Sequence, residues 1–153
     1  MDLILWRHAE AQDWVDGCDD MARTLTPRGE RQAIRMSLWL DRQLHEGTRI
    51  LVSPARRTVQ TAEALGRKYQ RKPELAPSGS AAELLELVQW PDAKGTVLVV
   101  GHQPTLGQAV AHLLGLSAAE CSVKKGSVWW LRHRQRDAQS KTVVVTVQSP
   151  EFL

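Results

Sequence analysis

The sequence predicts an α/β domain of three layers, α/β/α, with a mostly parallel sheet and an antiparallel edge. Short apolar runs alternate with stretches of helical periodicity, as in a sheet covered by helices. The run Thr-Val-Leu-Val-Val at 96–100 is continuous and β-branched, which is typical of a central strand buried on both faces. Two late strand-like runs at 127–133 and 142–148 favour a closing hairpin at the edge. The length of 153 residues predicts a single domain, 1–153.

The first strand is predicted at residues 3–6, where an apolar run stops at Arg7 and His8. Residues 11–25 are irregular and indicate a loop, which either walls a site beside Arg7 and His8 or is a plain connection. Thr26 and Pro27 form a typical helix start, a hydroxyl cap before a proline. The apolar face of this helix is Ala33, Met36, Leu40 and Leu44, and Gly47 is expected to close it.

The rest of the chain continues the alternation. The further predicted elements are a strand at 50–52, a helix at 57–69, a loop at 73–80, a helix at 81–90, the central strand at 96–100, a helix at 105–114 and the two hairpin strands. Arg67 and Lys68 fall in the last turn of the second predicted helix, where cations suit the helix dipole. Gly115 is expected to end the fourth helix.

Composition restricts the class of protein. Hydrophobic residues make up 42% and charged residues 24%, as in soluble globular proteins. The start lacks a signal peptide, and no segment approaches the ~20 apolar residues that span a bilayer, so we expect a cytoplasmic protein without membrane contact. Cys18 and Cys121 are expected to stay reduced. A solvated surface explains most of the formal net charge of +3, and an anionic substrate is the next explanation, whereas nucleic-acid binding requires a denser basic face.

Polar groups follow three predicted strands at the edge where reacting groups of such sheets lie. Arg7 and His8 follow the first strand, Ser53 and then Arg57 follow the second, and His102 follows the central one. Guanidinium groups match phosphate oxygens in bidentate fashion. Cations near His8 disfavour its protonation, and a neutral ring nitrogen is a nucleophile. The pattern therefore predicts an oxyanion site capable of phosphoryl transfer without a metal.

Four sequence blocks resemble the histidine phosphatase superfamily, which has the phosphoglycerate mutase-like fold. Arg7-His8-Ala9 resembles its R-H-G signature. The resemblance continues in Leu-Thr-x-x-Gly-x-x-Gln-Ala at 25–33, in Ser-Pro-x-x-Arg-x-x-Gln-Thr-Ala at 53–62 and in Val-Gly-His-Gln-Pro at 100–104. The blocks occur in family order, and the short chain resembles the phosphohistidine phosphatase (SixA) branch.

The resemblance implies roles for four residues and no cofactor. His8 would be the nucleophile, Arg7 and Arg57 would bind the phosphoryl oxygens, and His102 would contact the phosphoryl group and stabilise the transition state. The register of the second block selects Arg57 over Arg56, which is then a rim or surface charge. A metal site is not expected, because flanking arginines disfavour a bound cation.

Several positions depart from the family pattern. Ala9 replaces a glycine, and Trp14 stands where mutases often have asparagine. Glu74 is the best positional match for the family's general acid, although a solvated loop glutamate is the alternative reading. Ser80 stands where many relatives of this branch have aspartate, and Glu83 and Glu10 are lesser candidates for the acid. A phosphohistidine substrate would relax the need for an acid, since imidazole is a better leaving group than an alkoxide.

These observations predict a metal-independent phosphatase that acts through a phosphohistidine intermediate. The expected partner is a protein carrying phosphohistidine, and a small phosphate ester is the alternative substrate. A non-catalytic module that binds phosphorylated proteins through the same arginines is a second alternative.

Overall fold

The computed structural model describes residues 1–153 and contains six strands and four α-helices. The strands are β1 (Asp2–Arg7), β2 (Arg49–Val52), β3 (Gln70–Arg71), β4 (Thr96–Gly101), β5 (Val128–Arg136) and β6 (Gln139–Gln148). The helices are α1 (Pro27–Gln43), α2 (Arg56–Glu63), α3 (Ala81–Leu87) and α4 (Thr105–Leu114). Single-turn 3-10 helices lie at Asp20–Ala22, Pro73–Leu75 and Pro150–Phe152.

The strands form one sheet in the order β3-β2-β4-β1-β5-β6. Strands β3, β2, β4 and β1 are parallel, whereas β5 and β6 are antiparallel and form the edge. Alternate side chains of β1 enter different cores: Leu3 and Leu5 pack with Leu106 of α4, and Ile4 and Trp6 pack with Met36 of α1. Helices therefore cover both faces of the sheet, and the predicted three-layer α/β architecture is confirmed.

The start of α1 follows the prediction, because the Thr26 hydroxyl accepts a hydrogen bond from the Gly29 amide at 2.9 Å. Helix α2 is shorter than predicted. It ends at Glu63, and Gly66 then takes a left-handed φ of 71°, which turns the chain toward β3. Arg67 does not lie in the last turn of α2; its guanidinium instead donates to three backbone carbonyls at the end of α1, those of Asp41, Leu44 and His45.

Other boundaries also differ from the prediction. Strand β3 was not predicted, because two exposed polar residues carry no strand pattern. Helix α1 ends at Gln43, before Gly47, and α3 ends at Leu87, shortly before a left-handed Gln89. The hairpin strands extend further than predicted. None of the four α-helices combines the length and the hydrophobicity that a membrane-spanning segment requires.

Candidate active site

The polar strand ends meet at one edge of the sheet because β2, β4 and β1 are neighbours there. Arg7 is paired in register with Gly101, so His8 and His102 leave adjacent strands side by side. Their ring centroids lie 5.3 Å apart, with the ring planes inclined by 54°. A cavity of about 260 Å³ is lined by both rings and by Arg7 and Arg57. We call it the catalytic pocket; its remaining lining residues are Ala11, Asp13, Arg23, Pro77, Gln103 and Lys125.

The His8 ring is held in one tautomer by the backbone. Its Nδ1 lies 2.7 Å from the carbonyl oxygen of Ala9. Because a carbonyl oxygen only accepts hydrogen bonds, Nδ1 carries the proton and Nε2 keeps its lone pair. The Ala9 amide donates to the Thr61 hydroxyl at 3.1 Å, and that hydroxyl donates to the Arg57 carbonyl at 2.8 Å. Thr61 thus connects the exit of β1 to α2, the helix that carries Arg57.

His102 is held by Ser53, which follows β2. Its Nε2 lies 2.7 Å from the Ser53 hydroxyl oxygen, and that oxygen also accepts from the Ala55 amide at 3.3 Å. The hydroxyl proton has no other acceptor in the chain, so we assign it to His102 Nε2. The proton of the neutral ring is then on Nδ1, which is buried and has no hydrogen-bond partner within the chain. The Nδ1–H group of His102 is therefore available to donate a hydrogen bond to an oxyanion.

The guanidinium groups of Arg7 and Arg57 are held by hydrogen bonds within the chain, but each has an N–H donor without a partner. Arg7 donates to the carbonyl of Val123 at 2.9 Å. Arg57 donates to the carbonyl of Asp20 at 2.9 Å and to its carboxylate at 3.2 Å, and the same carboxylate pairs with Arg23 at 2.9 Å. The Nε atoms of Arg7 and Arg57 are buried and have no partner within the chain. Buried unpaired donors of this kind fit an oxyanion ligand.

Burial and positive charge keep both imidazoles neutral. Burial, together with the guanidiniums of Arg57, Arg7 and Arg23, lowers the pKa of His8 to about 3. Burial, and then the charge of Arg57, lowers the pKa of His102 to about 3. The site therefore offers, at neutral pH, one nucleophilic nitrogen, one neutral ring donor and two cationic forks around a single small space.

The candidates for the general acid lie outside this pocket. Glu74 is exposed on the 3-10 helix Pro73–Leu75 and does not line the pocket. Glu83 accepts from the Ser80 hydroxyl at the start of α3, and Glu10 accepts from the Thr26 hydroxyl. The role of Glu74 stays a prediction.

Sequence reasoning missed the contributions of Asp20, Thr61 and the Ser53 hydroxyl. Ser53 and Thr61 stand inside a matched block, so the block indicated their place but not their hydrogen bonds. The 11–25 segment does wall the pocket, through Ala11, Asp13 and Arg23. No group of three or more His, Cys, Asp or Glu side chains is arranged to hold a metal ion.

A neutral histidine between arginines at the edge of the sheet is typical of proteins that transfer phosphoryl groups. Comparison with known proteins identifies the family: the chain belongs to the histidine phosphatase superfamily. The model of the histidine phosphatase superfamily (branch 1) matches residues 3–78. The fold is that of the phosphoglycerate mutase-like proteins, and the relatives place the chain in the SixA branch.

Three relatives illustrate the similarity. The phosphohistidine phosphatase SixA of Escherichia coli is 34% identical over 74% of this chain and 74% of its own length. An uncharacterised protein of Picosynechococcus sp. is 36% identical over 100% of this chain and 99% of its own. The structure of the protein histidine phosphatase SixA complexed with tungstate is 28% identical, covers 99% of both chains and gives a TM-score of 0.76. This chain is therefore a phosphatase of the histidine phosphatase type.

Proposed function

We propose that the protein removes the phosphoryl group from a phosphohistidine side chain of a partner protein, through a phosphohistidine formed on His8 and without a metal. The observation that carries the proposal is the free Nε2 lone pair of His8, in a pocket shared with Arg7, Arg57 and His102. The phosphohistidine phosphatases among its relatives support the substrate class.

In the first step the lone pair of His8 Nε2 attacks phosphorus in line with the substrate P–N bond. That bond breaks, and its electron pair stays on the substrate ring, which leaves as neutral imidazole when its second nitrogen is already protonated. Arg7 and Arg57 bind the equatorial oxygens, and His102 Nδ1 donates a hydrogen bond to one of them. No proton has to be supplied by a carboxyl group.

In the second step water attacks phosphorus and the P–Nε2 bond breaks. The electron pair returns to Nε2, and both protons of the water remain on the product, which is released as dihydrogen phosphate. The His8 ring keeps its Nδ1 proton throughout, held by the Ala9 carbonyl. Because the ring stays protonated, it leaves as neutral imidazole, which is a good leaving group.

The carboxylates of the site favour phosphohistidine over esters. Asp20 contacts Arg57, and although burial opposes ionisation, its bonds to Arg23 and the charge of Arg57 lower the pKa of that carboxyl. It is ionised at neutral pH and cannot donate a proton to an alkoxide. Asp13 lines the pocket but is exposed to solvent, and Glu74 lies outside. An ester would therefore lack a buried neutral acid, whereas phosphohistidine does not need one.

The test compares the wild type with His8→Ala on a phosphohistidine protein and on a chromogenic aryl phosphate, with His45→Ala as the matched control at an exposed histidine. We expect rapid phosphate release from the protein, an acid-labile and base-stable phosphoenzyme, and loss of both in His8→Ala only.

A chelator should leave turnover unchanged, and zinc-dependent rescue would contradict the metal-free mechanism. Binding without release would favour a phosphoprotein-binding module. Faster turnover of small esters would favour the ester phosphatase.

A further inference from the structure

A strongly basic groove lies beside the catalytic pocket. It has a volume of about 560 Å³ and no hydrophobic side chain in its lining. Six cations line it against two carboxylates, Glu10 and Glu151, so the groove holds more excess positive charge than the whole chain, whose net charge is +3. The cations of the basic groove are Arg7, Arg28, Arg31, Arg35, Lys124 and Lys125.

Most of these cations have no partner of their own. Arg28 lies 3.8 Å from Glu10, but Arg31, Arg35 and both lysines form no ion pair in the chain. Arg31 and Arg35 are one helical turn apart on α1, where like charges lower the stability of a helix. No ion pair within the chain therefore accounts for Arg31, Arg35 and the two lysines, and together they form a positive surface available to an external anion.

The basic groove is continuous with the catalytic pocket. Arg7 and Lys125 line both, so a ligand with its phosphoryl group beside His8 has its neighbouring groups at the start of the groove. The positive lining favours a molecule in both spaces that carries further negative charge close to its phosphoryl group.

Two exposed apolar side chains lie next to the basic groove. Ile34 and Leu38 are 53% and 62% exposed on α1, and each follows an arginine of the groove by three residues, Arg31 and Arg35 respectively. Arginines beside exposed aliphatic groups are typical of protein interfaces, whereas a small polyanion gains nothing from Ile34 or Leu38. The exposed, flexible cations also suit long-range attraction of a charged partner better than tight binding of a small ligand.

We infer that the basic groove, with Ile34 and Leu38, is the docking surface for an acidic face of the phosphorylated protein substrate. The inference rests on the proposed function and adds to it the chemistry of the partner: carboxylates surround its phosphohistidine, and an apolar spot lies next to them. Opposite charge raises the encounter rate and aligns the phosphoryl group with the pocket.

The experiment uses two substrates with the same reacting bond, an acidic phosphohistidine protein and the tripeptide Gly-phosphohistidine-Gly. The variant is Arg31→Glu with Arg35→Glu. The matched control is Arg134→Glu with Arg136→Glu, which makes the same charge change on β5. These two arginines follow Arg132, which pairs with Asp2 at the start of β1, whereas His8 follows the other end of that strand. We expect kcat/KM on the protein to fall by about tenfold or more in the variant, mainly through KM, and to lose its salt dependence. Turnover of the tripeptide should stay within about twofold, and the control should match the wild type on both substrates.

Leu38→Ala, which adds no charge, should also weaken turnover of the protein but not of the tripeptide. Equal losses on both substrates would overturn the inference by making the basic groove part of the catalytic pocket, and no loss on either would overturn it directly. Tripolyphosphate binding that disappears in the variant, with unchanged turnover of the protein, would assign the basic groove to small polyanions. Failure of the wild type on both phosphohistidine substrates, with aryl phosphate still hydrolysed, would instead contradict the proposed function.

Discussion

Single side chains set the chemistry of the pocket through their hydrogen bonds. The Ala9 carbonyl leaves His8 with a free Nε2, and the Ser53 hydroxyl leaves His102 with a free Nδ1–H. One neutral ring is thus an acceptor and the other a donor, although both have the same low pKa of about 3. Identical residues acquire opposite functions because different neighbours occupy their second nitrogen.

Arg57 and Arg56 offer a sharp test, because they are adjacent in sequence and differ in environment. Arg57 is 3% exposed, whereas the side chain of Arg56 is 46% exposed and lies 3.7 Å from Glu63. We expect Arg57→Ala to lower kcat/KM by about 10²- to 10³-fold, because the variant lacks one of the two guanidinium groups proposed to bind the phosphoryl oxygens. Arg56→Ala should change kcat/KM by less than about twofold. Steady-state kinetics on either substrate measures the difference. Equal losses would show that the register of the second block is wrong.

Acid should destabilise the fold through its two buried histidines. Their pKa values are about 3 in the folded protein and about 6.5 when unfolded, so the unfolded chain alone takes up these protons as the pH falls. Their contribution to stability is complete above about pH 6.5 and is lost toward pH 3, by at most about 1.4 kcal/mol per pH unit for each histidine.

Urea unfolding between about pH 7 and pH 4 measures this slope. The slope should be smaller in His8→Gln with His102→Asn and unchanged in His45→Gln, whose side chain is exposed. The carboxyls of Asp2 and Asp20, whose pKa values are lowered by their arginine partners, add an acid sensitivity that both variants keep. An unchanged slope in the double variant would contradict the neutral, buried state of the rings.

A few hydrogen bonds between secondary-structure elements position the side chains of the pocket. Thr61 lies in the middle of α2, is fully buried and joins the amide of Ala9 to the carbonyl of Arg57. The proposed nucleophile, which follows β1, and the arginine on α2 that is proposed to bind phosphate are therefore connected through one hydroxyl. Sequence periodicity gave α2 an inward face but could not assign this hydroxyl a partner on another element.

Replacing Thr61 with valine tests that connection. The Ala9 amide would be left buried without an acceptor, and we expect a loss of about 1–3 kcal/mol in the free energy of unfolding together with a lower kcat. Thr48→Val is the matched control, because the Thr48 hydroxyl is buried without any hydrogen-bond partner. It should leave stability unchanged or raise it. Denaturant unfolding and kinetics on both variants separate the outcomes, and equal effects would contradict the role of Thr61.

The fold of the whole molecule brings polar residues that are far apart in the sequence to one edge of the sheet. The strand order alone brings together Arg7, His8 and His102, because residues that follow adjacent parallel strands must meet. The fold class and these neighbours could thus be predicted from periodicity and motif order. Contacts that depend on loop paths could not be predicted, such as Asp20 against Arg57 or Arg67 on the end of α1. Neither leaves a pattern in the local sequence.

An oxyanion should stabilise the entire fold if the pocket binds phosphoryl groups as arranged. We expect tungstate to raise the thermal midpoint of unfolding, with about 2.7 kcal/mol of added stability at a ligand concentration of 100 times Kd. Arg57→Ala should abolish most of this gain, and Arg56→Ala should retain it. Differential scanning fluorimetry across a tungstate titration provides the measurement. A gain that survives in Arg57→Ala would place the anion elsewhere.

The hydrogen bond from His8 Nδ1 to the Ala9 carbonyl bears on how long a captured phosphoryl group survives. A ring that cannot shed its second proton weakens its own bond to phosphorus, so under the proposed mechanism the loaded enzyme discharges to the nearest water. The phosphorylated state of His8 is then short-lived whenever water reaches phosphorus. Transfer to water yields inorganic phosphate, so under this mechanism each visit by a phosphorylated partner is irreversible.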